Sequence, residues 1–321
     1  MKEGTLYRHI LRDSWRIAWK NPFLWFLGAL SIFWGGVGAY SSIDSLFSRL
    51  QRSPEGMFGG AFPSIHDFSF GGLLTIGLTS FILIALLSVF IFLTASARGG
   101  LIYAIAERSE KKPASFRGSL QKGVQKFWPI LGIGILARFD VVLSYLLLDP
   151  LSKLAPGTGV LIGYVLAFLV TTLVSLVFSL LAIYAIALVI FEDFSFTEAV
   201  RQACKLFARH WLLSIEFALM LYGLNLLVGI AVLVGLLALG IPFALLGILF
   251  TFLNVPGGFL VAAVPLIVLY VVFLVIAGSL FVTFQYTTWT LLYMKMWEGN
   301  PVSKVMRVTA RYARIFHRKI V

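Results

Sequence analysis

Long apolar runs alternate along this chain with short stretches in which cations recur every three or four residues. A membrane crossing by one helix needs about 20 apolar residues. Six runs meet that measure, at roughly 22–40, 72–97, 128–148, 160–190, 211–239 and 260–290. The apolar periodicity of the second continues through Gly99-Gly100-Leu101-Ile102-Tyr103 to Ala106. Such a helix is about 52 Å long, against a hydrocarbon core of ~30 Å. The even-numbered spans are therefore expected to protrude or tilt.

Three cationic stretches lead straight into apolar spans: Leu11 to Lys20, Leu120 to Pro129 and Val200 to Arg209. The second and third also share a start, Ser115-Phe116 and Ser195-Phe196, and Phe127 matches Phe207 at the same offset of 80. Arg8, Arg12, Arg16 and Lys20 fall at i, i+4 spacing, on one face of a helix. Arg201, Lys205 and Arg209 form a shorter stripe, and Lys304, Arg307, Arg311, Arg314 and Arg318 form another near the C-terminus. In the third stretch, Phe196, Ala199, Val200, Ala203 and Phe207 make the apolar face. Helices of this kind lie in the membrane interface with the apolar side down and the cations toward phosphate headgroups. Each cation near an anionic surface contributes ~1 kcal/mol, so the first stripe gains roughly 4 kcal/mol at most. Anchoring the spans is the plain use of such a stripe; a headgroup site or a protein-docking surface is the sharper one.

The pattern predicts an all-α polytopic membrane protein with six transmembrane helices in three tandem two-helix units. Each unit begins with a basic amphipathic elbow helix. The whole chain, 1–321, reads as a single transmembrane domain, with pseudo-repeats at 1–113, 114–194 and 195–300 and a basic amphipathic tail at 301–321. Parallel repeats of this kind are related by an axis along the membrane normal. Two connections stand out. Residues 41–70 form a 30-residue outer loop, in which Ile43, Leu46, Phe47 and Leu50 fit one helical face. Residues 241–254, between Gly240-Ile241-Pro242 and Pro256-Gly257-Gly258, are apolar but too short for a crossing, which suits a re-entrant or interfacial piece.

Phe194-Ser195-Phe196-Thr197-Glu198-Ala199-Val200, followed by Lys205-Leu206-Phe207 and His210-Trp211, resembles bacterial six-span families. These include the membrane domain of glycerophosphoryl diester phosphodiesterases and related inner-membrane proteins. The resemblance implies the topology and a link to membrane lipids. It carries over no active-site residue, and no stretch of this chain has room for the ~250-residue barrel of a phosphodiesterase domain.

Composition sharpens the class. The chain is 60% hydrophobic and 12% charged, where soluble domains carry about 25% charged residues. Residues 217–294 contain no Asp, Glu, Lys, Arg or His. The net charge of +12 is distributed unevenly. The termini and the 98–127 and 191–210 segments hold 22 of the Lys and Arg residues, while the alternate loops hold three, Arg49, Arg52 and Lys153. This asymmetry places both termini in the cytoplasm of a bacterial-type inner membrane. Cations spread over four juxtamembrane segments argue against a nucleic-acid partner and for anionic inner-leaflet phospholipid, with the C-terminal basic helix as a surface for a protein partner. Cys204 is the single cysteine, so no internal disulfide forms; it reads as a small packing residue. Val37-Gly38-Ala39 resembles a signal-peptide cleavage site, but Glu3 and Asp13 ahead of the first run suit a retained span.

Three ionisable residues fall inside spans: Arg138, Asp140 and Glu216. Intramembrane charges are expensive and mark ligand or ion pathways by default. Arg138 lies ~16 Å into its span and Glu216 ~9 Å into its own, within reach of each other if the long Arg side chain snorkels. Such a pair serves either a pathway or structure alone. Arg138 and Asp140 are i, i+2 and face different partners. Asn225 and the stripe Thr283, Gln285, Thr287, Thr288, Thr290 read as helix-to-helix hydrogen-bonding groups, with cavity lining as the other use. His9, His66, His210 and His317 are dispersed, and no phosphate loop or nucleophile elbow occurs. The chain calls for no cofactor and no enzymatic role. A non-enzymatic lipid-binding or lipid-handling module is the first expectation. A secondary transporter or channel for a small solute, and a scaffold acting through a partner, are the alternatives.

Overall fold

Backbone amides in hydrocarbon find no water, so a chain this apolar closes its hydrogen bonds within helices. The computed structural model describes residues 6–35, 70–152, 157–255 and 257–299. Those residues form nine α-helices: α1 (Leu6–Lys20), α2 (Phe23–Gly35), α3 (Phe70–Ser109), α4 (Phe116–Gln125), α5 (Phe127–Ala137), α6 (Phe139–Ser152), α7 (Thr158–Phe191), α8 (Phe196–Phe252) and α9 (Gly258–Glu298). Five stretches are long and apolar enough to cross a membrane: α3, α5 with α6, α7, α8 and α9. The apolar α2 is shorter over its described residues. The outer loop 41–70 falls almost wholly outside the described residues, and the tail 301–321 does so entirely.

The long helices are buried mainly at one end. In α3 every side chain from Gly77 to Phe90 is exposed, and every one from Thr94 to Ile102 is buried. In α7 the buried stretch is Tyr184 to Ile190. In α8 it lies almost wholly between Ala199 and Leu221, and in α9 mostly between Ser279 and Met296. These segments share one core, with Tyr184, Phe217, Leu292 and Tyr293 at 0 or 1% exposure. The opposite halves present Leu, Ile, Val and Phe outward, as at Leu83, Leu166, Leu233 and Val268, which are all at least half exposed. Apolar surface this extensive belongs in lipid.

Each short cationic segment docks at the packed end through two small residues one turn apart. They are Ser14 and Ala18 on α1, Ser119 and Gly123 on α4, and Ala199 and Ala203 at the start of α8, all buried. Small residues at this spacing let helix axes approach closely. α1 packs on α9, α4 on α3 and α8 on α7. The α3–α4 crossing is the tightest: a Cβ at Gly123 would overlap the Ser96 carbonyl oxygen, and one at Gly100 would come within 2.7 Å of the Ser119 carbonyl oxygen. The apolar faces of these helices are thus occupied by protein, where the sequence had placed lipid. Phe196 lies over Gly132 of α5, and Phe207 packs on the core.

Three further expectations are corrected. Residues 241–254 are not re-entrant. α8 runs unbroken through Pro242 to Phe252, and residues 211–252 alone measure about 63 Å. The helix ends at the Leu253 cap, and beyond it Asn254 and Gly257 adopt positive φ, 48° and 74°. The third span is also not one straight helix: Arg138 leaves helical geometry (φ −93°, ψ 3°) and separates α5 from α6. Cys204 is exposed rather than packed, because it lies outside the Ala199–Ala203 face. Within α8, His210 (φ −124°, ψ 28°) marks a kink between the docked cationic turns and the apolar helix.

α8 and α9 pack as a long hairpin. Gly235 gives room to the Phe273 ring and Gly240 to Tyr270. The Tyr270 hydroxyl donates to the Leu236 carbonyl at 2.8 Å.

Candidate functional site

The exposed cations are set by the buried small residues behind them. With Ser14 and Ala18 turned into the bundle, Arg8, Arg12, Arg16 and Lys20 project outward from α1 and are all exposed. Trp15 and Trp19 stand beside them, half exposed and stacked with centroids 5.5 Å apart. The Trp25 indole N–H donates to the Ala18 carbonyl at 2.8 Å, tying α1 to α2. At the start of α8 the same logic leaves Arg201, Lys205 and Arg209 exposed.

On α4 the cations are used within the protein. Ser115 caps the helix, its hydroxyl accepting from the Gly118 N–H at 3.2 Å. Lys126 Nζ sits 2.8 Å from the Asp193 carboxylate and Lys122 Nζ 3.9 Å from it. The hydrogen bond from Lys126, then the charges of Lys126 and Lys122, hold the Asp193 carboxyl below its ordinary range. Of the basic residues on this helix, Arg117 remains exposed.

The intramembrane candidates lie on neighbouring elements. Arg138 is half-buried at the α5–α6 break, and Glu216 is half-buried on α8. α5 and α8 pack against each other. The Asp140 side chain lies outside the description, as do Arg307, Arg311, Arg314 and Arg318. Asn225 and Gln285 are brought together: the Gln285 amide donates to Asn225 Oδ1 across the α8–α9 hairpin. Thr283 donates to the Leu24 carbonyl at 3.1 Å, joining α9 to α2. Thr287 and Thr288 donate to carbonyls of their own helix. Of the stripe, Thr283 and Gln285 thus bond to other helices, while Thr287 and Thr288 do not. A groove of about 590 Å³ opens between α8 and α9 near their turn, lined by Phe243, Ile248, Phe252 and Phe259, and is almost wholly apolar.

One residue was missed from sequence. Arg98 counts there as a juxtamembrane cation, yet it is 93% buried, its guanidinium 5.5 Å from the centre of the Tyr286 ring. The signal was present in its neighbours. Thr94-Ala95-Ser96-Ala97 before it and Gly99-Gly100 after it are the small residues of a tightly packed helix.

No curated protein and no solved structure matches the chain. A family model does match, over residues 21–296, from just ahead of α2 to the last turn of α9. The chain belongs to that family, the family of unknown function DUF7544.

Proposed function

We propose that this protein is a non-enzymatic multi-pass membrane module that binds anionic phospholipid of the cytoplasmic leaflet through its basic elbow helices. The exposure of Arg8, Arg12, Arg16 and Lys20 together, with Trp15 and Trp19 beside them, carries this reading. Their apolar side is already satisfied by protein, so the cations and indoles are left to meet the interface, where such pairs are favoured. The stripe lies at the packed end, next to the halves of the long helices that present apolar surface.

In this reading the packed end faces the cytoplasm, as the Lys and Arg asymmetry favours. The apolar run 22–40, of which α2 is the described part, counts as the sixth span. The hairpins α2–α3, α5/α6–α7 and α8–α9 are the three tandem units, which the packing within each pair supports. The matching small-residue pairs of the three elbows support the repeat, and the resemblance to phosphodiesterase membrane domains points to lipid.

The test is lipid analysis after extraction into polymer-bounded discs, for wild type and an R8Q/R12Q/R16Q variant. Wild type should carry more anionic lipid than the bulk membrane, and the variant should fall to bulk composition. Bulk composition around both proteins would overturn the reading.

A further inference from the structure

We propose that Arg98 anchors a specific binding site for a phosphate-bearing anion, at the packed end where α2, α3 and α9 meet. The proposal rests on the reading above only in taking that end to lie at headgroup level.

A guanidinium taken out of water must be compensated, because an unpaired buried charge is among the costliest features a fold can hold. Arg98 retains 7% exposure. Its Nε is enclosed and has no acceptor. Among the described residues no carboxylate pairs with it, and its one contact of note is the face of Tyr286. A ring face attracts a cation but accepts no N–H bond in the guanidinium plane. The other cations of this region are compensated differently. Arg108 also lies over a ring, Phe23, and its Nε is likewise enclosed without an acceptor, but its Nη2 donates to the Ala114 carbonyl at 3.0 Å. Lys122 and Lys126 share Asp193. Arg98 is thus a buried cation that makes no hydrogen bond or ion pair among the described residues.

Its surroundings strengthen any charge-assisted bond it makes. Leu24, Leu27, Ala97 and Leu101, all fully buried, form an apolar cluster against which Tyr286 packs. Charge-assisted bonds strengthen in such a low-dielectric setting. Thr283, one turn from Tyr286 on α9, fixes α9 to α2 through Leu24, and Gly28 lets the two helices close. The Tyr286 ring holds the guanidinium from one face, so its planar fork is ordered before a ligand arrives. That fork matches two oxygens of a phosphate. A phospholipid headgroup and a free phosphate share this chemistry.

The experiment compares full-length wild type, Arg98→Gln and the R8Q/R12Q/R16Q stripe variant. Each is reconstituted in discs of equal parts phosphatidylglycerol and phosphatidylcholine, then delipidated stepwise and weighed by native mass spectrometry. In parallel, inorganic phosphate is titrated against each in lipid-free detergent, following thermal unfolding. Wild type should keep a discrete phosphatidylglycerol that Arg98→Gln loses by about tenfold or more, while the stripe variant keeps it. The site then stands whether or not the stripe enriches bulk lipid. If inorganic phosphate stabilises wild type but not Arg98→Gln, and no lipid is retained, the anion site stands and its ligand is a soluble phosphate. Equal lipid retention and equal response to phosphate in wild type and Arg98→Gln would overturn the proposal and leave Arg98 as the packing partner of Tyr286. Should Arg98→Gln fail to fold, Arg98→Lys carries the test: it keeps the charge and loses the fork, so binding should weaken several-fold, and unchanged binding would overturn the site.

Discussion

The Tyr184 hydroxyl donates to Ser214 Oγ at 2.9 Å, and Ser214 Oγ donates in turn to the carbonyl of His210 at 3.0 Å. This relay joins α7 to the kinked residue of α8, and both side chains are fully buried. Ser214→Ala leaves the Tyr184 hydroxyl enclosed without an acceptor, a loss of about 1–3 kcal/mol. Tyr184→Phe leaves Ser214 bonded to His210 and should cost less. The double variant should be more stable than Ser214→Ala alone, as measured by thermal unfolding in detergent. Equal losses from the two single variants would show that the relay is not what holds the kink.

Gly123→Ala should be the most damaging single methyl addition at the packed end. The added carbon meets backbone on α3, the Ser96 carbonyl and the Gly100 nitrogen, which cannot rotate away. Overpacking of this kind costs about 1–3 kcal/mol. Gly223→Ala, with nothing near its added carbon, should leave the melting temperature unchanged or raise it, since alanine favours helix.

The Asp193 bridge sets an acid limit on the α4–α7 junction. Its carboxyl is held below the ordinary 3.8 by Lys126 and Lys122. A depressed carboxyl stabilises the fold fully above its unfolded value and loses that contribution as pH falls through the lower folded value. The effect therefore appears only below about pH 4. Asp193→Asn tolerates the same positive φ of 55° while removing the charge. It should lower the melting temperature slightly at neutral pH, as an exposed pair does, and match wild type in strong acid. A difference that persists unchanged at the lowest pH would assign the effect to the turn rather than the charge.

Within the apolar hairpin, Asn225 and Gln285 satisfy each other. Interhelical bonds of this type in membranes contribute about 0.6 kcal/mol on average and up to ~1.7. The double variant Asn225→Leu/Gln285→Leu should lose less stability than the sum of the two single variants. Strict additivity in a double-mutant cycle would mean the two amides are not coupled.

Cys204 supplies a probe of sidedness, being the single cysteine of the chain and exposed. A membrane-impermeant maleimide should label it in inverted vesicles and leave it unlabelled in intact cells. Labelling of intact cells would place the packed end, and with it the basic stripes, on the outer face.

Much of the fold was legible because lipid imposes it. The apolar runs gave the long helices, and the i, i+4 spacing of Arg8 to Lys20 gave an exposed cationic face that the structure retains. The departures have physical causes. Gly240-Ile241-Pro242 reads as a breaker by the rules of soluble chains, but here Gly240 accommodates Tyr270 and the helix continues through Pro242; the intact neighbouring helix makes the missing N–H tolerable. The apolar faces of the short helices were assigned to lipid because periodicity shows that a face is buried, not what buries it. Arg98 was hidden by its neighbours' charges in sequence: a basic segment is read as a group, and burial is a property of single residues. The break at Arg138 has no local signal among Leu136, Ala137, Phe139 and Asp140.

The docking of α1 on α9 has a consequence for how the chain is made. The ribosome delivers α1 well before the partner segment of α9. Through most of synthesis Ser14 and Ala18 therefore have no surface to close on, and α1 must wait at the membrane with its small-residue face uncovered. Closing this face therefore waits for α9, so a chain that stalls before α9 is distinguishable from one that contains it by that open face.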